Sequence, residues 1–255
     1  MSLTAHHLTW KARSRTIVDR VSLSVDAGEV LGILGPNGSG KTSLLRCLGG
    51  ITEASSGTVT FDEQILGRLG GRQRSRRIAF VGQNPTTEVD LTVADVVALG
   101  RIPHRGRLSG LSEADRVAIC SALDRVELAN FADRRWRTLS GGEKQRTQLA
   151  RAFAQEAPVM LLDEPTNHLD IRSQLQLMRL IRESPEKATA VVLHDIQLAA
   201  TICTRIAVID RGRVVADGAP EAVLTTGLLA DVFGISADVV SGGPDSMMLR
   251  YVGVV

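Results

Sequence analysis

The chain is poor in aromatic residues: phenylalanine, tyrosine and tryptophan together make up 3% of its 255 residues, while aliphatic residues and glycine are plentiful. That balance suits an α/β protein with tight strand–helix turns better than an all-β one. No apolar run approaches the roughly 18 residues needed to cross a bilayer, so no membrane span is expected. The first twenty residues carry His6, His7, Lys11, Arg13 and Arg15 with no apolar block, so they do not read as a secretory signal. Charge of one sign is also lacking. Thirty basic residues against 28 acidic ones leave a net charge of +2, which does not point to nucleic acid as a partner. Cysteine is scarce, and Cys47, Cys120 and Cys203 stand far apart with no metal-ligand spacing. They read as three buried thiols in a reducing compartment.

The length fits one domain, or one domain with an insertion. Leu3 to Trp10 and Thr16 to Val25 alternate and read as strands. Glu29 to Leu34 is short, apolar and ends at Gly35, as a buried strand does. Helical periodicity begins inside Gly40 to Leu48 and stops at Gly49-Gly50. Gly57 to Phe61 reads as another strand. Arg68, Arg72, Arg74, Arg76 and Arg77 crowd one stretch before a strand at Ile78 to Val81. That stretch reads as a solvated loop and helix. From Asn84 to about Ala154 the pattern turns helical, with Thr92 and Ser112 as N-caps, Asp115 completing a capping box, and a third helix after Ser140. Strands return at Pro158 to Leu162 and Ala188 to Leu193. Arg205 to Asp210 and Arg213 to Asp217 form a hairpin around Arg211-Gly212. Short helices are expected from Ala219 and from Gly227, and a last strand at Met247 to Val254.

Chemistry concentrates in three places. Gly35-Pro36-Asn37-Gly38-Ser39-Gly40-Lys41-Thr42, followed by Ser43, fits the pattern G-x-x-x-x-G-K-[ST] between a strand and a helix. Its glycines let backbone N–H groups turn toward an anion, and the helix that follows points its positive end at the same place. Lys41 should reach the β- and γ-phosphates of ATP, and Thr42 should bind Mg²⁺. Val159 to Leu162 is an apolar strand delivering Asp163 and Glu164. Asp163 suits the metal, and Glu164 suits a base that orients or deprotonates the attacking water. Ser140-Gly141-Gly142-Glu143 is an N-cap with exposed backbone donors behind it.

Leu139-Ser140-Gly141-Gly142-Glu143-Lys144-Gln145-Arg146 resembles the signature of ATP-binding cassette ATPases. The resemblance runs from about Leu3 to Phe233. It implies a P-loop NTPase with a RecA-like core, an N-terminal antiparallel β subdomain and an inserted helical subdomain at about 84–154. Gln83 then matches the glutamine loop at the metal. Asp170, in Asn167-His168-Leu169-Asp170, matches a residue facing the other subunit, and His194 matches the switch histidine at the γ-phosphate. Such cassettes pair head to tail, so Ser140, Gly141, Gly142 and Glu143 would face ATP held by a second copy of the chain. The family's aromatic platform for adenine falls near Ala12 and Arg13, neither aromatic, which leaves Trp10, Arg13 or neither against the base.

Within the family, Gly100-Arg101-Ile102-Pro103-His104 is similar to a segment of importers for iron–siderophore, haem and vitamin B12. The resemblance implies an ATPase subunit working with separate integral membrane permeases, and indirectly with a substrate-binding protein. Its place would be the cytoplasmic face of a bacterial inner membrane. Arg101, His104 and Arg105 are the candidate permease contacts. A soluble single-cassette ATPase, such as an iron–sulfur cluster assembly factor, and an exporter subunit are the alternatives.

Overall fold

The computed structural model describes residues 1–83, 90–106, 109–167, 169–241 and 247–255. His168 and the expected start of the helical insertion at Asn84 lie outside the described residues. The chain opens with β1 (Ser2–Ala12) and β2 (Arg15–Asp26), then β3 (Val30–Leu34), α1 (Lys41–Leu48), β4 (Ser56–Phe61), β5 (Gln64–Ile65), α2 (Gly71–Ser75) and β6 (Ile78–Val81). A helical stretch follows: α3 (Val93–Ala98), α4 (Glu113–Arg125) and α5 (Gly141–Ala154). Alternation then resumes with β7 (Val159–Asp163), α6 (Ile171–Arg182), β8 (Ala188–Val192), α7 (Ile196–Ile202), β9 (Arg205–Asp210) and β10 (Arg213–Gly218). The chain finishes with α8 (Pro220–Val223), α9 (Thr226–Phe233), β11 (Ile235–Ser241) and β12 (Met247–Val254).

One sheet has the order β10-β9-β3-β8-β7-β6, parallel except for the antiparallel edge strand β10. A second sheet, β2-β1-β4-β5, is antiparallel throughout. Strand side chains alternate between faces, so the larger sheet separates two cores. Val30, Leu34, Met160, Leu162 and Val191 face the helices. Leu31, Ile33, Val159, Leu161 and Val192 pack with α1 and the antiparallel sheet. β3, β7 and β8 are buried along their whole length, as strands covered on both faces must be.

The expected caps are present. Thr92 with Asp95, Ser112 with Asp115 and Ser140 with Glu143 each form a reciprocal capping box. The helices α6 and α7 and the strand β11 were not anticipated. Asp170 and Asp195 N-cap the two helices, accepting from Ser173 N–H and Leu198 N–H at 2.8 and 2.9 Å. Strand β11 exists through pairing with β12, a non-local contact. The expectation of three buried thiols is wrong for Cys120, which lies exposed on α4, while Cys47 and Cys203 are buried.

Candidate functional site

β3 ends at the glycine loop. Gly35, Gly38 and Gly40 all take positive φ, at 148°, 77° and 104°. A Cβ on Gly35 would stand 2.0 Å from Ile209 O, and one on Gly40 would stand 2.5 Å from Ile17 O. Only glycine fits at these two points. α1 starts at Lys41, so its first N–H groups open into the loop. The Lys41 ammonium folds back and donates to Gly35 O at 2.8 Å and Pro36 O at 2.9 Å. Burial pulls its pKa down, against the carboxylates of Glu164 and Asp163. Ser39 Oγ is buried with no hydrogen-bond partner among the described residues. A cradle of backbone donors, a lysine held only by carbonyls and a spare hydroxyl fit a nucleotide's phosphates.

The loop meets the ends of β7 and β8. Thr42 Oγ1 donates to Asp163 Oδ1 at 2.9 Å across 121 residues of sequence. Asp163 is 1% exposed, and burial raises its pKa, opposed by the Thr42 hydroxyl. Glu164 follows at a positive φ of 50°, an uncommon conformation for its residue type. Its N–H donates to Val192 O, at 3.2 Å. Three side chains converge on its carboxylate. His194 Nε2 stands 2.6 Å from Oε1. Asn167 Nδ2, at 2.5 Å, and Gln83 Nε2 both donate to Oε2. The structure thus brings Gln83, Asp163, Glu164 and His194 to the phosphate loop. Thr42, Asp163 and Gln83 supply oxygen donors of the hard kind that Mg²⁺ prefers. Glu164, clamped from three sides, is a carboxylate with a fixed direction, as a group that orients water must be. The bond from Asn167 was not foreseen. Its position three residues after Glu164, in a turn, is the only local signal.

The remaining predicted residues form a second group. Ser140 N–H donates to Glu143 Oε2 at 2.7 Å, and Glu143 N–H to Ser140 Oγ at 3.3 Å. The Ser140 backbone bond holds the Glu143 carboxyl below the usual range. A Cβ on Gly142 would stand 2.9 Å from Ser173 Oγ, so α5 begins against the first turn of α6. Asp170 accepts from the Ser173 N–H and hydroxyl, and those bonds keep its pKa low. None of Ser140, Gly141, Gly142, Glu143 or Asp170 lines the cavity of about 330 Å³ at the phosphate loop. Within one chain the two groups are separate.

One expectation needs correction. Arg101, a candidate permease contact, has a side chain only 6% exposed. It donates to Asp115 Oδ1 at 2.8 Å, and to Ala154 O and Glu156 Oε2 at 2.6 Å each. His104 Nε2 stands 2.8 Å from Gln155 O, and Arg105 is half-buried. The segment is therefore clamped onto the end of α5, and what it exposes is Leu99 and Ile102. At the base end, Trp10 pairs across β2 with Val18 and packs against the core. Arg13 sits in the β1–β2 turn at a φ of 56°. Neither lines the cavity. Arg15 and Ile17 do, and sequence reading missed both. Their two-residue spacing on a strand was the available signal.

A profile of the ABC transporter family matches residues 18–167, more than half of the chain. The hemin import ATP-binding protein of Rhodococcus jostii is 40% identical over 94% of this chain and 82% of its own length. The cobalamin import ATP-binding protein of Halobacterium salinarum is 39% identical over 91% of this chain, which spans only 59% of that protein. Among solved structures, a dimeric bacterial ABC transporter cassette is 30% identical, with a TM-score of 0.74 over 86% of this chain and 98% of that one. An ABC transporter in an inward-facing conformation, 24% identical, shares the fold, with a TM-score of 0.85 over 100% of this chain and 98% of that one. The P-loop fold, its antiparallel sheet, its helical region and these likenesses agree: the chain belongs to the ABC transporter family, as one of its ATP-hydrolysing cassettes.

Proposed function

We propose that this chain, as a single cassette unit with its helical insertion, energises import of haem, cobalamin or an iron–siderophore through separate integral membrane permeases. The observation that carries the reading is the clamped Glu164 beside the phosphate loop, in a chain 40% identical to a hemin import ATP-binding protein. The loop from Gly35 to Ser43 holds the phosphates of ATP, with Lys41 turning from Gly35 O and Pro36 O to meet them. Thr42, Gln83 and Asp163 hold Mg²⁺, which when bound neutralises charge on the phosphate oxygens. Glu164 directs and accepts a proton from the attacking water, while His194 and Asn167 hold its carboxylate in place.

Ser140, Gly141, Gly142, Glu143 and Asp170 serve the nucleotide of a second copy. Their separation from the phosphate loop within one chain supports this, as does the dimeric cassette among the similar structures. Two chains pair head to tail with ATP between them, and closure drives the permeases. A substrate-binding protein delivers the cargo on the far side. No helix among the described residues is long and apolar enough to cross a membrane. The chain works at the cytoplasmic face of a bacterial inner membrane, docked through the clamped segment whose exposed side chains are Leu99 and Ile102.

The test is uptake of labelled haem, cobalamin and siderophore in cells lacking this chain. Loss of one of the three, restored by the wild-type chain and not by Lys41→Ala, supports the importer. Unchanged uptake of all three refutes it.

A further inference from the structure

The hairpin of β11 and β12 does not line the cavity at the phosphate loop. Ala237, Met247 and Leu249 sink its inner face into the core. Gln197 on α7 bolts it there, donating from Nε2 to Met247 O at 2.9 Å and accepting at Oε1 from Leu249 N–H at 2.7 Å. The end of the hairpin is held as well, by Val255 N–H donating to Gly234 O at 2.9 Å. An antiparallel hairpin with one face on the core and the other in water alternates apolar with polar. This one instead exposes Val240, Met248, Tyr251, Val252 and Val254, the last three by 52%, 62% and 88%. Asp238 and Arg250, its charged side chains among the described residues, pair with each other at 2.5 Å. A fixed, apolar and neutral patch of this kind marks an interaction surface.

The position of the patch says what covers it. An open groove of about 780 Å³ runs between the end of β12 and the start of α7, lined by Ile196, Tyr251, Val252 and Val254 and reaching His194. His194 also lines the cavity at the phosphate loop. The groove therefore continues the surface that a second copy closes over when it covers the nucleotide.

We infer that a second copy of this chain also covers the groove: when two cassettes close on ATP, the end of β12 is buried against the partner and adds to the contact made through the nucleotide. The inference rests on the reading that two chains pair head to tail. Continuity at His194 selects the second copy over other occupants, because whatever closes over the nucleotide also reaches the mouth of the groove. Neutrality suits the same occupant. Identical chains carry identical charges, and a patch without net charge does not repel its own kind.

The experiment uses the full chain carrying Glu164→Gln, with saturating ATP, and reads the dimer dissociation constant by analytical ultracentrifugation. Val252→Asp and Val254→Asp each place a carboxylate in the groove, and by two-fold symmetry every dimer carries it twice. Burying an unpaired carboxylate is costly, so each substitution should raise the dimer constant at least about tenfold. Both positions are exposed, so the melting temperature of the nucleotide-free chain should move by less than about 2 °C. Should Val252→Asp disturb the fold, Val254→Asp, at the more exposed position, keeps the test intact. Val215→Asp makes the same change at an exposed valine of β10 outside the groove and should leave the constant where it is. A constant unmoved by Val252→Asp and Val254→Asp overturns the inference, as does equal weakening by Val215→Asp. Unmoved dimerisation with loss of uptake in cells gives the face to the permease and overturns it too. If Glu164→Gln does not dimerise with ATP at all, the head-to-tail reading falls and this inference with it. If it dimerises and the hairpin variants match it, only the hairpin assignment falls.

Discussion

Replacing Glu164 by glutamine changes one atom, and the structure says what that atom does. Oε1 faces His194 Nε2 at 2.6 Å, and Oε2 receives Asn167 Nδ2 at 2.5 Å and Gln83 Nε2. A glutamine offers one acceptor oxygen and one NH2 group. Whichever way the amide lies, either His194 or the Asn167–Gln83 pair meets a donor where it now meets an acceptor. The variant therefore loses the basic oxygen, and keeps its clamp only with the NH2 group turned toward a His194 whose Nε2 accepts. General-base catalysis is worth about 10²–10⁴ in rate, which is about 3–5 kcal/mol in the barrier. Lys41 and Thr42 keep their positions, because neither bonds to Glu164. ATP affinity measured by calorimetry should stay near wild type. Phosphate release at saturating ATP should fall by at least about a hundredfold. Light scattering with ATP present should show a persistent dimer, since the nucleotide between two chains is no longer consumed. Turnover within about tenfold of wild type would remove Glu164 from the role of base.

Other outcomes follow from burial and charge. Burial holds the Asp163 carboxyl above its ordinary value of 3.8, so the folded chain keeps that proton to higher pH than the unfolded chain. Stability contributed by this group falls as pH rises from 3.8 through the raised value, and the full cost is present above it. Asp163→Asn should therefore raise the melting temperature of the nucleotide-free chain at neutral pH, with a smaller gain below pH 3.8, while abolishing Mg²⁺-dependent hydrolysis; a lower melting temperature would contradict this. Arg101→Ala leaves Asp115 without its guanidinium in an enclosed place and should lower the melting temperature by about 6 °C or more, measured by scanning calorimetry. A loss under about 2 °C would mean the pair is of little consequence. Burial pushes the thiols of Cys47 and Cys203 up to about 11 and about 12, whereas Cys120 is exposed. Brief alkylation of the native chain near pH 8 should add one label by mass spectrometry, on Cys120. Equal labelling of all three would show that the two cores open readily.

The phosphate loop, the carboxylates at the end of β7 and the capping boxes were legible in the sequence, because each is written in a few consecutive residues. Glycine at Gly35 and Gly40 reports a backbone conformation, and Ser112 followed by Asp115 reports a helix start, whatever the rest of the chain does. The alternation in β1 and β2 and the apolar runs of β3, β7 and β8 are equally local, so the α/β class followed from them. Local pattern does not say what a long side chain reaches. Arg101 looked like a surface contact in a glycine- and proline-bearing segment, and the fold turned it inward onto Asp115, 14 residues away, and Ala154, 53 away. Spacing along β1 left Trp10, Arg13 or neither for the base. The register of β1 against β2 instead paired Trp10 with Val18 and left Arg15 and Ile17 beside the loop. Gln83 and His194 meet on Glu164 only because β6, β7 and β8 are neighbours in the parallel sheet, whereas Asn167 reaches it from the same turn. The sequence by itself determined which backbone segments can hold phosphate and which carboxylates a strand delivers, since those are properties of adjacent residues. Tertiary structure alone decided which side chains surround them, because strand order and register bring together groups that no sequence spacing relates.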